Sequence, residues 1–102
     1  MDTFYTEQYQ KDGTWDIICR IIIYREQFGK HPDFLKDYAG SEKHGFNTKF
    51  FLLIKTGIET KDEAERQIKK LTRRYEGTIA RCENTGRWDD FPFMHCPVLY
   101  YK

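Results

Sequence analysis

Cysteine and histidine are the residues of this chain best suited to metal or nucleophile chemistry, but their spacing matches no known motif. The fold could bring together Cys82, His95 and Cys96, with Cys19 on a neighbouring strand. Zinc sites are usually built from ligand pairs at short spacing, C-x₂₋₄-C or H-x₃₋₅-H, and the chain contains no such pair. We therefore predict no metal and no cofactor. A metal- or thiol-dependent enzyme stays an alternative for experiment.

Carboxylates, glycines and serine give no further sign of an enzyme. Asp89 is adjacent to Asp90, and Asp33 precedes Asp37 by one helical turn, but nothing in the sequence places either pair in a pocket. The seven glycines form neither a G-x-G-x-x-G nor a Walker pattern. The one serine, Ser41, is not in a nucleophile elbow. The sequence predicts a protein that is not an enzyme.

Five cations on the predicted helix 60–76 are the first candidate binding surface. They are Arg66, Lys69, Lys70, Arg73 and Arg74. At 100° per residue they centre about 170° from the apolar stripe of this helix. This cationic face could hold phosphates or an acidic protein surface. The alternative is a solvated face, because acidic residues precede the cations, which complements the helix dipole and allows local ion pairs.

The segment 87–96 is the second candidate, as a partner-binding loop. The proposed contact residues are Arg87, Trp88, Asp89, Asp90, Phe91 and Phe93. Aromatic residues and arginine are enriched at the centres of protein interfaces, and this segment has no clean periodicity. The alternative is that its aromatic side chains fold back and close the open face of the sheet, which a small domain needs for its core.

Residues 43–51 are similar to the strand on which RNA-recognition domains stack bases, since a basic residue, a glycine and aromatics follow one another. The second Gly/Ala-aromatic step of that pattern is missing. Phe50 and Phe51 also point to opposite faces of a strand. A core strand is therefore the competing interpretation.

Periodicity and turn residues predict the strands that position these candidates. Asp12-Gly13 separates two β-prone segments, 4–10 and 14–26, which predicts a hairpin. In 14–26 both faces are apolar at the centre, so we expect this strand inside the sheet. Another strand is predicted at 47–56, ended by Gly57, and a last one at 97–101.

The helix prediction rests on a cap at each end. Thr60 and Glu63 form a capping-box pattern, and Gly77 is placed at the C-terminal cap. One apolar stripe joins them, made of Ala64, Ile68, Leu71 and Tyr75. A short strand over 78–84 is expected to follow.

The predicted element order is β-β-(short α)-β-α-β-β, with the short helix inside 27–47. One main helix on one face of a sheet of about five strands is an α+β fold of two layers. The run from strand to helix to strand at 47–84 fits a right-handed crossover, so a ferredoxin-like, partly parallel sheet is expected. An exposed edge at 97–101 could pair with its copy and give a homodimer.

Size and composition exclude several classes of protein. The 102 residues suit a single domain, 1–102, and an aromatic content of 17% excludes disorder for most of the chain. The apolar runs of the chain, such as Ile21–Tyr24 and the longer Phe50–Ile54, are far shorter than the roughly 20 residues of a membrane span. The net charge of +1 does not indicate a globally basic nucleic-acid binder. Three cysteines and no secretory pattern at the N-terminus predict a reduced, cytoplasmic protein.

Two functions from different classes follow from these observations. The first is a small interaction protein that binds and modulates a partner, with inhibition as the expected mode. The partner would be a protein or a protein–nucleic acid complex. In size and style the chain is similar to small phage-encoded inhibitors of host defence such as anti-CRISPR proteins, which implies blocking of a partner site. The alternative is a nucleic-acid-binding module that uses the cationic face.

Overall fold

Four antiparallel strands and one long helix make up the described part of the chain, residues 3–24 and 48–99, in a computed structural model. The elements are β1 (Phe4–Gln8), β2 (Trp15–Ile23), β3 (Thr48–Ile58), α1 (Lys61–Thr85) and β4 (Val98–Leu99). The strands lie in the order β1-β2-β3-β4, each antiparallel to its neighbours. The predicted α+β class and its single main helix on the sheet are confirmed. The short helix predicted within 27–47 lies outside the described residues.

The β1–β2 hairpin forms where the Asp-Gly pair predicts it. Gly13 adopts a left-handed φ of 77°, which a residue with a side chain rarely adopts. Tyr9 N–H donates to the Thr14 carbonyl at 2.7 Å, and Gly13 N–H donates to the Tyr9 carbonyl at 2.9 Å. Thr14 N–H and its hydroxyl both donate to Asp12 Oδ1, which lowers the pKa of that carboxyl. The turn therefore fixes the register of the hairpin.

Strand β2 lies inside the sheet, as its two apolar faces predict. Towards α1 it buries Ile17, Cys19, Ile21 and Ile23. On the opposite face Ile18 is buried as well. Its pairing with β3 is interrupted by two register shifts, between Trp15 and Ile17 and between Ile17 and Ile18. Such bulges bend a strand and redirect its side chains.

Helix α1 begins as predicted and ends nine residues later than predicted. Thr60 is the N-cap, and its hydroxyl accepts from Glu63 N–H at 3.2 Å. The helix continues through Gly77 to Thr85, and Gly86, with φ 72°, is the C-cap. The predicted helix end at Gly77 and the predicted strand 78–84 are wrong. Ile79 and Cys82 continue the apolar stripe at helical spacing, and burying them outweighs the cost of one glycine in the helix.

The predicted parallel crossover is also wrong. Residues 86–97 pass back over the sheet before β4 begins, so β4 enters beside Leu53 and runs antiparallel to β3. Pro97 accepts from Leu53 N–H at 2.9 Å, and Val98 pairs with Leu52. Within the described residues the last strand covers Val98–Leu99. Residues 100–101 of the predicted strand 97–101 lie outside the description.

The helix lies off the centre of the sheet. It packs mainly on β1 and β2 and much less on β3. The 86–97 segment joins the same buried cluster as Phe50 and Leu52 of β3. Within the described ranges no helix combines the length and apolar character needed to cross a bilayer.

Candidate binding surface

The aromatic side chains of the proposed partner-binding loop lie in the core. Trp88 is 5% exposed and Phe91 3% exposed, and Phe93 is half-buried. Their rings meet edge to face, with Trp88–Phe91 centroids 5.4 Å apart and Phe91–Phe93 centroids 6.0 Å apart. Phe93 also contacts the rings of Phe4 and Tyr75. The structure therefore places these aromatics where the alternative interpretation expected them, closing the sheet.

The polar members of that segment are on the surface. Arg87, Asp89 and Asp90 are exposed. Two tight turns produce this separation: Phe91 N–H donates to the Trp88 carbonyl, and Cys96 N–H donates to the Phe93 carbonyl. Consecutive turns have no fixed period, which is why the sequence pattern could not assign the aromatics to a side. In the free protein this segment offers charges and no apolar anchor from Trp88 or Phe91.

All five residues of the cationic face are exposed on α1. Arg66 pairs with Glu63 at 2.9 Å, and Arg74 lies 5.3 Å from the centroid of the Tyr75 ring. Glu65 contacts Lys61 at 3.9 Å. At the middle of the face, within the described ranges, Lys69, Lys70 and Arg73 form no ion pair.

A glycine extends the cationic face. Gly77 lies four residues after Arg73 and four before Arg81, so all three share one side of the helix. It is exposed, and a Cβ added there would meet no atom within 4 Å. A glycine inside a helix costs roughly 0.5–1 kcal/mol relative to alanine. No packing in the described part of the protein requires this residue to be glycine.

The cationic face borders a groove against the start of β1. Thr3, Phe4 and Ile68 lie along it, and Lys69, Thr72 and Arg73 supply its polar rim together with Glu76. Its volume is about 410 Å³. Because Glu76 shares the rim with two cations, the groove is electrostatically mixed and does not define a phosphate site by itself.

The three thiols are near one another but are poorly suited to catalysis. Cys19 and Cys82 are buried in one core cluster, and Cys96 packs against it. Burial raises the pKa of all three thiols, most strongly that of Cys19. A reactive cysteine needs a lowered pKa and access to solvent. His95 is exposed, and among the described residues no three metal-ligating side chains form a group that could hold an ion.

One half-buried carboxylate has a structural role. Glu83 Oε2 accepts from Ile22 N–H at 2.7 Å, so a side chain of the helix satisfies a backbone donor of β2. Burial raises the pKa of Glu83, while this hydrogen bond and the nearby Arg20 act in the opposite direction. The contact ties the end of α1 to β2. No sequence pattern indicated it, because the two residues are far apart in the chain.

The remaining sequence candidates divide between the core and the residues outside the description. Phe50 is buried towards α1, and Phe51 lies on the opposite face, 6.4 Å from the Tyr5 ring centroid. Residues 43–47 of the strand compared with RNA-recognition domains are outside the description, as are Asp33 and Asp37. No known family model matches this chain, and no significant match was found among curated proteins or solved structures.

Proposed function

We propose that this protein is a non-enzymatic interaction protein that engages an anionic macromolecular partner through the cationic face of α1 and so blocks the partner's own contacts. One observation carries the proposal: Lys69, Lys70 and Arg73 are exposed at the centre of a regular helix and lack ion-pair partners among the described residues. A rigid helix holds these charges in fixed relative positions. Such an arrangement favours recognition and fast, electrostatically steered association.

Gly77 supports the same surface. A missing side chain beside Arg73 and Arg81 lets a partner approach the helix backbone closely. Close approach of a partner gives a reason for glycine at position 77, which the packing of the described residues does not explain. A bulky but helix-compatible replacement, Gly77→Leu, should therefore weaken partner binding without unfolding the helix.

Affinity capture from the native host tests the proposal. The variant Lys69→Glu/Arg73→Glu should lose the partner that the wild-type protein captures, and capture by the wild type should fall steeply as salt rises. The control is Lys11→Glu, an exposed lysine in the β1–β2 turn, which should retain the partner. Circular dichroism establishes that each variant is folded. Undiminished capture by the double variant would overturn the proposal.

A nucleic-acid-binding module is the second candidate, since the same exposed cations could contact phosphates. Nuclease treatment before capture separates the two functions. Loss of the partner after nuclease treatment would favour the nucleic-acid function. So would a logarithm of the binding constant that falls linearly with the logarithm of the salt concentration. A partner that survives nuclease treatment would favour a protein with an acidic surface.

A further inference from the structure

An apolar cleft opens on the side of α1 that faces β3. Its walls are the half-buried Ile54 and Leu71, with the fully buried Ile17 beneath them and Gln67 beside them, and Lys55 and Lys70 stand at its rim. Its volume is about 240 Å³. A cavity of roughly 150 Å³ lined by apolar side chains accommodates a benzene molecule. The cleft therefore has room for one aliphatic or aromatic side chain.

Two features of the fold produce this cleft. Helix α1 packs mainly on β1 and β2, so among the described residues the helix side of β3 is only partly covered near Ile54. The bulge then inserts an extra residue into β3, since Ile17 pairs with Lys55 while Ile18 pairs with Leu53. As a result Ile54 and Lys55, although adjacent in sequence, both line the same cleft. In a regular strand they would point to opposite faces.

The charges around the cleft point to its occupant. Lys55 and Lys70 are exposed, and neither forms an ion pair within residues 3–24 and 48–99. Lys70 also belongs to the cationic face, so the cleft continues the surface proposed above. An apolar crevice between two uncompensated cations complements an apolar side chain flanked by carboxylates. Single-stranded nucleic acids place their bases on aromatic side chains, and the walls of this cleft are aliphatic.

We propose that the cleft holds a single apolar side chain of an acidic peptide segment belonging to the protein partner, with Lys55 and Lys70 contacting the carboxylates on either side. This inference rests on the proposed function and names the chemistry of the partner. The apolar side chain supplies the burial, and the two lysines select for acidic neighbours. The rest of the cationic face then adds long-range attraction.

Selection of displayed random-sequence peptides on the immobilised protein tests the inference. Peptides enriched on the wild type should carry Leu, Ile, Phe or Trp next to Asp or Glu. Replacing that apolar residue by alanine in a synthetic copy should weaken binding about 10-fold, equivalent to about 1.4 kcal/mol. The variant Lys55→Glu/Lys70→Glu should select basic flanks instead, whereas Lys11→Glu should select the same peptides as the wild type.

Amide chemical shifts locate the site independently of any variant. An enriched peptide should shift the amide resonances of Ile54, Lys55 and Leu71 and leave those of the β1–β2 turn unchanged. The inference would be overturned if the enriched peptides carried no apolar residue or if no peptide were enriched at all. It would also be overturned if the peptides shifted amide resonances on another surface. So would a free protein that is a dimer and becomes monomeric in Lys55→Glu/Lys70→Glu, because a second copy would then occupy the cleft.

The two proposals fail in different ways. If Lys69→Glu/Arg73→Glu abolishes partner capture but the peptide selection gives no apolar anchor, the proposed function stands and the cleft has no part in it. If the charge reversal leaves capture intact, the proposed function itself is wrong. If an oligonucleotide shifts the amide resonances of Lys69 and Arg73 but not that of Ile54, the cleft proposal is overturned in favour of phosphate recognition.

Discussion

Replacement of Gly77 by alanine should stabilise this protein. In the structure Gly77 is inside α1 with ordinary helical geometry, and an added Cβ would meet nothing within 4 Å. Alanine therefore fits without strain and lowers the conformational entropy of the unfolded chain. The expected gain in unfolding free energy is about 0.4–1 kcal/mol. For a domain of this length that corresponds to a rise of roughly 2–8 °C in the thermal midpoint.

Urea unfolding followed by circular dichroism measures the change. The matched controls are Ala80→Gly, at an exposed position of the same helix, and Gly86→Ala at its C-cap. Ala80→Gly should destabilise the protein by about 1 kcal/mol, the helix-interior cost of glycine. Gly86→Ala should destabilise it by about 1–2 kcal/mol, because Gly86 is left-handed with φ 72°.

The opposite pattern would refute the reasoning. If α1 ended at Gly77, as the sequence alone predicts, Gly77 would be the left-handed cap. Gly77→Ala would then lower the unfolding free energy, and Gly86→Ala would have little effect. A stabilising Gly77→Ala together with a destabilising Gly86→Ala is compatible only with a helix that continues to residue 85.

Three further predictions follow from buried groups. Trp88→Ala should lower the unfolding free energy by about 3–5 kcal/mol, because Trp88 is 5% exposed, whereas Arg87→Ala at the exposed neighbour should change it by no more than about 0.5 kcal/mol. Burial raises the pKa of Glu83 in the folded wild type above its unfolded value. The contribution of Glu83 to the unfolding free energy is therefore complete below the unfolded pKa and is lost as the pH rises through the folded pKa. The advantage of Glu83→Gln over the wild type in urea unfolding should therefore grow as the pH rises above the unfolded pKa of glutamate, about 4.3. The thiols of the native protein should react slowly with iodoacetamide at neutral pH, with half-buried Cys96 ahead of Cys19, because burial raises the pKa of each.

Each of these predictions has a clear contrary result. If Trp88→Ala and Arg87→Ala had equal unfolding free energies, Trp88 would lie on the surface and would again be a candidate partner-binding residue. A stability difference for Glu83→Gln that does not vary with pH would mean that its carboxyl is solvated in the folded state. Rapid alkylation of a thiol in the native protein would revive the thiol-enzyme alternative.

Several features of the fold were predictable because their causes are local. A left-handed glycine after aspartate determines the β1–β2 turn, and Thr60 caps α1 with its own hydroxyl. The central position of β2 follows from the apolar residues on both of its faces. The exposure of the cationic face follows from its angle to the apolar stripe. Each of these depends on residues within a few positions of one another.

The tertiary structure decided the features whose causes lie far apart in the chain. Burial of Ile79 and Cys82 against the sheet carries α1 past Gly77, which overrides a local preference worth only about 1 kcal/mol. The side on which Trp88 and Phe91 lie depends on the cluster formed by β2 and β3. The cleft requires both the bulge that turns Lys55 towards α1 and the helix position that leaves Ile54 only half-buried among the described residues. The sequence by itself therefore determined where the charges are, through local periodicity, whereas packing between distant segments decided which apolar surface lies beside them.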